Sequence, residues 1–280
     1  MRPASHASVS RARSWEWSET IRSGPFLADA LVGVGVDVST VRFSSEARTA
    51  LAFVSLGEDG EREFLFYRSP SADMLMRPED VDSGTIRAAR VFHFGSISLI
   101  ADPSRASTPH AVRAREAGLL VTYDPNLRLA LWPDAEAARQ GIRLGLAEAD
   151  VVKIGDEELA FLTGCNDPVA AARSIWATRT RLIAITRGKA GCLWLTASAQ
   201  GAIPGFAVVT VDATDAGDAF TAGLICGLVG TQGIPQNPSE IDQICRFANA
   251  VGALTTTGRG AIRSLPARAA VNAFLSEQAQ

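Results

Sequence analysis

Several features are scarce in this 280-residue sequence, and each scarcity argues against a class of protein. The three histidines and four cysteines fall in no metal-ligand spacing, so the sequence predicts neither a zinc site nor a disulfide framework. No apolar run is long enough to cross a bilayer. The 27 basic and 30 acidic residues are mixed along the chain, so neither a nucleic acid nor a membrane partner is expected. The composition therefore predicts a globular cytoplasmic protein with reduced cysteines.

The familiar phosphate-binding loops are also absent. Gly188 and Lys189 lack the earlier glycine and the following Ser or Thr of a Walker A motif. Gly33 and Gly35 begin a possible dinucleotide fingerprint, but Val38 stands where the third glycine is needed. A nucleotide would therefore have to be bound by another structural device.

From residue 90 onward, short apolar runs alternate with helical stretches, which predicts one α/β domain with a mostly parallel sheet and helices on both faces. The predicted strands are 91–97, 119–123, 151–154, 182–186, 192–195 and 207–211. The predicted helices are 104–117, 135–146, 157–162, 168–176, 217–228, 240–256 and 267–276. His93 falls within the first of these strands and is predicted to be a packed residue. Two alternating runs around a turn predict a β-hairpin over 48–68.

Residues 211–223 carry the most informative motif, Val-Asp-Ala-Thr-Asp-Ala-Gly-Asp-Ala-Phe-Thr-Ala-Gly. They join a turn of small residues to a helix that begins near Ala216, Gly217 and Asp218. Free backbone N–H groups and the helix dipole at such a start can hold a phosphoryl group, and the Asp218 carboxylate can accept a proton. An acidic N-cap on a buried helix is the alternative interpretation of this local pattern.

The same stretch resembles the C-terminal signature of the PfkB, or ribokinase-like, family of carbohydrate kinases. Residues 47–76, 123–132 and 248–263 resemble the fructokinase branch of that family, and the similarity extends from about Phe26 to the C-terminus. The resemblance implies an α/β fold of the ribokinase-like type, a three-layer αβα sandwich with a mostly parallel central sheet and a small β lid. The hairpin at 48–68 would be part of that lid.

In activity, the resemblance implies ATP-dependent transfer of a phosphoryl group to a sugar hydroxyl, most closely the terminal hydroxyl of fructose. Asp218 would be the base, and Ala216 and Gly217 would offer N–H groups to the developing charge. Asp215 belongs to the same catalytic turn and departs from the family, which usually has a small residue there. We expect its side chain to turn outward, since Asp tolerates left-handed backbone.

Further site residues are implied by the same resemblance. The residues expected to bind the sugar are Arg68, Asp124, Asn126 and Arg128. The residues expected on the nucleotide side are Lys153, Glu158, Thr186, Gly188, Gly191 and Asn249. Asp212 and Thr214 would bind a monovalent cation such as K⁺. Glu158 would contact Mg²⁺ through a bridging water molecule. Without the resemblance, these residues are equally typical of turns, a helix start, a hairpin and salt-bridged loops.

The N-terminus departs from the family. Residues 1–25 are predicted to be a disordered or misassigned start, with the kinase domain covering 26–280. Relatives place a strand with a sugar-binding Asp, and then a Gly-Gly turn with an Asn, ahead of the segment that matches Phe26. Since neither is matched, we expect lowered stability and activity. A 2-keto-3-deoxygluconate-type kinase and a truncated, inactive nucleotide-binding paralogue are the alternatives, and a homodimer is an open possibility.

Overall fold

The structure is a computed structural model that describes residues 17–19, 23–56, 62–113 and 119–278. The described residues divide into two compact units. The smaller unit contains the described residues up to Asp82 together with Ala101–His110, and the larger unit contains Ser83–Ile100 and the chain from Ala111 onward.

The described part of the smaller unit contains two pairs of strands, one complete α-helix and the first part of another. Its elements are β1 (Trp17–Glu19), α1 (Ser23–Gly33), β2 (Arg42–Ser44), β3 (Leu51–Leu56) and β4 (Arg62–Tyr67). β1 pairs with β2 in parallel, and β3 pairs with β4 antiparallel, with Leu51 opposite Tyr67. The predicted hairpin is therefore confirmed, although residues 57–61 of its turn lie outside the described residues.

The larger unit is built on a six-stranded sheet with the order β10-β9-β8-β7-β6-β5. Its strands are β5 (Val91–Gly95), β6 (Leu120–Asp124), β7 (Val151–Gly155), β8 (Leu182–Thr186), β9 (Cys192–Leu195) and β10 (Gln200–Ile203). β5 to β8 run parallel, while β9 is antiparallel to both of its neighbours. Helices connect the parallel strands, which is the usual way to join them.

The remaining helices follow the predicted alternation. They are α2 (Ser83–Ala88), α3 (Ser104–Arg113), α4 (Ala135–Glu148), α5 (Asp156–Thr163), α6 (Pro168–Ser174), α7 (Ala216–Gly230), α8 (Pro238–Thr255), α9 (Ala261–Ser264) and α10 (Arg268–Glu277). α3 spans the boundary between the two units. None of the described helices is long and apolar enough to cross a membrane.

Alternate residues of each strand enter different cores. Ile183 and Ile185 of β8 pack with buried residues of α4, α5 and α6 on one face of the sheet. Leu182 and Ala184 pack with buried residues of α7 and α8 on the other face. This alternation follows from the two-residue period of a strand, and it produces the predicted α/β arrangement with helices on both faces of a mostly parallel sheet.

The predicted strand at 207–211 is wrong. The last strand of the sheet is β10, which ends at Ile203, and residues 204–210 form no regular structure. Pro204 lacks the N–H group that would continue the ladder with β9, and Val209 is 84% exposed. An apolar run becomes a strand only where a neighbouring strand accepts its hydrogen bonds.

The predictions for the N-terminus stay predictions. Most of residues 1–25 lie outside the described residues, except for β1 and the first residues of α1. Phe26 on α1 is 70% exposed, and Val32 and Val34 are more than half exposed. The division into 1–25 and 26–280 stays a prediction.

Gly145 on α4 gives a stability prediction within the larger unit. A Cβ at this position would lie 2.3 Å from Cζ of Tyr123, whose ring is fully buried on β6. We expect Gly145→Ala to lower the free energy of unfolding by about 1–3 kcal/mol, because the ring has no space into which to move. The matched control is Gly230→Ala on α7, where a Cβ meets nothing within 4 Å. Urea denaturation of both variants checks this, and equal midpoints would contradict it.

Candidate active site

The start of α7 is the centre of the candidate site. The helix begins at Ala216, and Asp215 stands at its N-cap with φ 61° and ψ 3°, in the left-handed region. The predicted left-handed turn is therefore confirmed. The Asp215 side chain makes no capping hydrogen bond to the helix. The backbone N–H groups of the first helical residues have no partner within the helix and carry the positive end of its dipole.

A buried ion pair lies beneath this helix start. Lys153 Nζ on β7 is 3.0 Å from Asp124 Oδ2 at the end of β6, and both side chains are less than a tenth exposed. A Cβ on Gly217 would lie 2.9 Å from the same Nζ atom, so the ammonium group occupies the space that a larger side chain would need. The sheet creates this contact because β6 and β7 end beside each other in parallel.

Two hydrogen bonds beyond the ion pair hold Asp124. Thr221 Oγ1 lies 3.1 Å from Asp124 Oδ2 and 3.0 Å from the carbonyl oxygen of Gly217. The Asn126 backbone N–H donates to Asp124 Oδ1 at 3.2 Å. The carboxylate thus connects β6, β7 and the first turn of α7. Asp124 was predicted to bind sugar. In the structure both of its carboxylate oxygens accept hydrogen bonds from groups of this chain.

Asp218 lies in the first turn of α7 with an exposed side chain. Desolvation by the surrounding protein raises the pKa of its carboxyl group. The positive charge of Lys153 lowers this pKa, Asp215 raises it, and Arg128 and His93 lower it. Four charged or ionisable groups therefore act on one carboxylate, a concentration that is typical of functional sites.

The loop after β6 reaches the same carboxylate. Asn126 has a positive φ of 44°, and its Nδ2 donates to Asp218 Oδ1 at 3.3 Å. Glu158 on α5 fixes this loop, because its Oε1 accepts from the backbone N–H of Leu127 while its Oε2 accepts from that of Gly155. Arg128 lies two residues beyond Asn126. The structure brings Asn126 to Asp218, and the charge of Arg128 lowers the pKa of the Asp218 carboxyl group. The predicted roles of both residues in sugar binding stay predictions.

The predicted nucleotide-side residues form a second group on the larger unit. Thr186 ends β8, and Gly188 and Gly191 adopt positive φ angles in the turn that follows. A Cβ on Gly191 would lie 2.2 Å from the carbonyl oxygen of Ile203, so this position requires glycine. Asn249 is buried, and its Nδ2 donates to the carbonyl oxygens of Ile203 and Pro204. The four residues shape the turn and its neighbouring segment, and their contact with nucleotide stays a prediction.

The described residues contain no group of three or more His, Cys, Asp or Glu side chains that could hold a metal ion. Asp212 Oδ1 accepts from the Thr214 backbone N–H at 2.9 Å, which forms a local turn. The Asp212 and Thr214 backbone and side-chain oxygens are the donor type that hard cations prefer.

Arg68 lies in the smaller unit, where it is 7% exposed and forms an ion pair with Asp73 at 2.7 Å. Its predicted role in sugar binding stays a prediction.

The prediction that His93 is a packed residue is wrong. His93 lies on β5, the edge strand of the six-stranded sheet, and its side chain is exposed. An edge strand lacks a neighbour on one side, and the sequence pattern of β5 does not reveal which strand stands at the edge. The signal that was available was an ionisable residue two positions before Gly95, where a parallel strand ends.

Asp215 gives a pH prediction. Replacing it by Asn removes a charge that raises the pKa of Asp218, so this pKa falls. Any activity that needs the Asp218 carboxylate then persists to lower pH, and we expect the acid limb of kcat to shift downward. The fold is expected to change by less than about 1 kcal/mol, because Asn also tolerates left-handed backbone. A pH–rate profile beside that of the unchanged protein tests this, and an upward shift would contradict it.

Comparisons with known proteins agree with this arrangement. The pfkB family carbohydrate kinase profile matches residues 22–268. Fructokinase-2 of Solanum lycopersicum is 48% identical over 245 residues, which cover 87% of this chain and 75% of that protein. The crystal structure of fructokinase with bound ATP from Xylella fastidiosa superposes with a TM-score of 0.87 at 34% identity, covering 95% of this chain and 85% of that one. A fructokinase double mutant from Vibrio cholerae O395, bound to fructose, ADP and potassium ion, gives a TM-score of 0.82 at 33% identity, covering 94% and 84%.

Proposed function

This chain belongs to the pfkB family of carbohydrate kinases, and on that premise we propose that it is an ATP-dependent fructokinase. The observation that carries the proposal is the Asp218 carboxylate at the N-terminus of α7, with Lys153 beneath the same turn. This arrangement supplies a proton acceptor and a region of positive potential at one place. Phosphoryl transfer to an alcohol needs both, because a proton leaves the attacking hydroxyl while negative charge develops on the phosphoryl oxygens.

In the proposed reaction, the terminal hydroxyl oxygen of fructose forms a bond to the γ-phosphorus of ATP. The bond from that phosphorus to the bridging oxygen breaks, and ADP leaves with the electron pair. Asp218 accepts the hydroxyl proton. Desolvation raises the pKa of Asp218, which brings it closer to working pH than that of an ordinary Asp carboxyl and favours proton transfer.

The developing negative charge is proposed to face the N–H groups of Ala216 and Gly217. The helix fixes both groups, and the Ala216 N–H, which donates to the carbonyl oxygen of Ala213 at 3.4 Å, would exchange this long bond for one to the phosphoryl group. Thr221 and Asp124 hold the first turn of α7 in place through hydrogen bonds. We therefore propose that Asp124 is a positioning residue for Lys153 and this turn, and that Asn126 and Arg128 are the groups of this loop that face the substrates.

The nucleotide is proposed to bind against Thr186, Gly188, Gly191 and Asn249, with Lys153 and Glu158 acting near its phosphates. The relatives with bound ATP or ADP support nucleotide use. Mg²⁺ is proposed as the accompanying metal, and it fits this chain only if the nucleotide phosphates and water supply most of its ligands, since the described residues hold no cluster for it. Glu158 would then contact it through water. When bound, Mg²⁺ offsets phosphate charge.

A monovalent cation, K⁺, is proposed to bind near Asp212 and Thr214. The potassium ion bound by the Vibrio cholerae double mutant supports a cation of this kind. The four cysteines are free thiols, which suits a reducing compartment, and we propose the cytoplasm.

A homodimer is proposed through one face of the β3–β4 hairpin. Leu51, Phe53, Leu65 and Tyr67 share this face, and each is more than half exposed. Sedimentation of a Phe53→Glu variant is expected to show a monomer, because a charge there would be buried in the interface. Ala52→Glu, which points to the opposite face of the same strand, is the matched control. A protein that is already monomeric, or equal effects of both variants, would contradict the homodimer.

The proposed function is tested by measuring ADP formation from ATP with saturating fructose, 2-keto-3-deoxygluconate or no sugar. We expect turnover with fructose, with phosphate on the terminal hydroxyl as observed by ³¹P NMR. Preference for the sugar acid would instead identify the alternative kinase. Binding of ATP without turnover on either sugar would favour an inactive nucleotide-binding paralogue, and either result would overturn the proposal.

A further inference from the structure

His93 is an ionisable residue near the candidate site, and the proposed mechanism assigns it no role. In the parallel pairing of β5 and β6, His93 stands beside Thr122, and Gly95 stands beside Asp124. Residues two apart on a strand point to the same face of the sheet. His93 and Thr122 therefore share the face that carries Asp124 and, on β7, Lys153.

The hydrogen bonds of the His93 ring go to Thr122. His93 Nδ1 lies 2.9 Å from Thr122 Oγ1, and Thr122 is buried. A hydrogen bond with the Thr122 backbone also acts on the ring and raises the pKa of His93. Thr122 thus fixes the orientation of the ring, and the exposed remainder of the ring is free to meet a ligand.

Gly95 is the residue of β5 that lies between His93 and the end of the sheet. Gly95 follows two residues later on the same face, and it has no side chain to fill the space beside Asp124. A Cβ at Gly95 would already lie 3.3 Å from the carbonyl oxygen of Asp124. On this face, therefore, β5 places no side chain between the His93 ring and the Asp124 end of the sheet.

Charged groups of the candidate site act on this ring. Desolvation lowers the pKa of His93, while the charges of Asp124 and Asp218 raise it and that of Lys153 lowers it. Asp218 is in turn affected by His93. Asp124 is in turn bonded to Thr221 Oγ1, which also bonds the carbonyl oxygen of Gly217 in the first turn of α7.

We propose that His93 binds the acceptor sugar, with Nε2 forming a hydrogen bond to a hydroxyl other than the one that attacks phosphorus. The inference rests on the proposed fructokinase function and deepens it. Near neutral pH an imidazole is largely uncharged, so one ring nitrogen can donate and the other accept. Such a group suits a neutral polyol, and Thr122 is the positioning residue that orients it.

The rival explanation is that His93 only ties β5 to β6 through Thr122. Two substitutions separate these roles because they retain different nitrogens of the ring. The amide of His93→Asn lies near the position of Nδ1, and that of His93→Gln lies near the position of Nε2. Sugar binding therefore predicts that Asn is the damaging change, whereas a purely structural bond to Thr122 predicts that Gln is.

The test is isothermal titration of fructose into the unchanged protein and both variants in the presence of ADP, with ADP titrated alone as the control. We expect His93→Asn to weaken fructose binding about three- to tenfold, the range for one neutral hydrogen bond, and His93→Gln to weaken it less. ADP affinity is expected to stay unchanged in both. Circular dichroism melts show whether each variant is folded.

The outcomes distinguish the two proposals. Fructose binding by the unchanged protein with equal affinity in His93→Asn would overturn the role of His93 and leave the fructokinase function standing. Weaker binding by His93→Gln than by His93→Asn would also overturn it, in favour of the structural role. Failure of the unchanged protein to bind fructose would contradict both. A Thr122→Val variant that weakens fructose binding but not ADP binding would further support the orienting bond.

Discussion

Asp218→Asn is expected to lower kcat about 10²- to 10⁴-fold, the usual contribution of a general base. The amide cannot accept the hydroxyl proton, but it has nearly the same size as the carboxylate and can keep a contact with Asn126. ATP affinity is expected to change little, because the backbone N–H groups of the helix start remain. Steady-state assays with ATP and fructose, together with ATP binding measured directly, check both parts.

The control for this variant is Asp215→Asn, which removes a neighbouring carboxylate from the same turn. The Asp215→Asn variant is expected to retain activity. A loss of kcat in Asp218→Asn alone would therefore identify Asp218 as the base and exclude a general effect of removing a negative charge. Comparable losses in the two variants would indicate that net charge at the helix start matters more than a proton acceptor. A fully active Asp218→Asn protein would exclude Asp218 as the base.

The pH dependence of the unchanged protein follows from the same carboxyl group. Desolvation is the largest influence on Asp218, and it raises the pKa above the ordinary Asp value of about 3.9. A base works only when deprotonated, so kcat/KM is expected to fall as pH decreases through this raised pKa. The acid limb should therefore lie above that of an ordinary aspartate, and an acid limb below pH about 3.9 would contradict the assignment.

Lys153→Met is expected to have the largest effect on stability. The substitution leaves the Asp124 carboxylate buried without its counter-charge, and breaking a buried ion pair in this way costs about 3–5 kcal/mol. It also removes a charge that lowers the pKa of Asp218, so the acid limb of any remaining activity should move to higher pH. Urea denaturation and a pH–rate profile measure the two effects separately.

The double variant Lys153→Met with Asp124→Asn separates folding from chemistry. Neither side chain is then charged, so most of the lost stability is expected to return, while Asn can still accept a hydrogen bond from Thr221. Activity is expected to stay at least about tenfold low, a factor that corresponds to roughly 1.4 kcal/mol of transition-state stabilisation. Full recovery of activity with stability would show that Lys153 serves the fold alone.

The local sequence predicts most of the helices and strands of this protein. It does not predict which strands lie beside each other in the sheet. The helix start at Ala216 is set by small residues and an acidic first turn, and the strands β6, β7 and β8 by short apolar runs. The run at 207–211 has similar composition but no neighbouring strand, so it forms none. His93 is exposed because β5 stands at the edge of the sheet, and strand order depends on contacts far apart in the sequence.

The sequence by itself determined the α/β class, the turn before α7 and the presence of Asp218 at its start, because these follow from periodicity and from residues adjacent in the chain. Only the tertiary structure decided that Lys153 and Asp124 form a buried pair beneath Gly217, and that Thr221 joins them. Asp124 is 29 residues from Lys153 and 97 from Thr221. The parallel register of β6 and β7 and the packing of α7 on one face bring these side chains together, and no local pattern encodes that register.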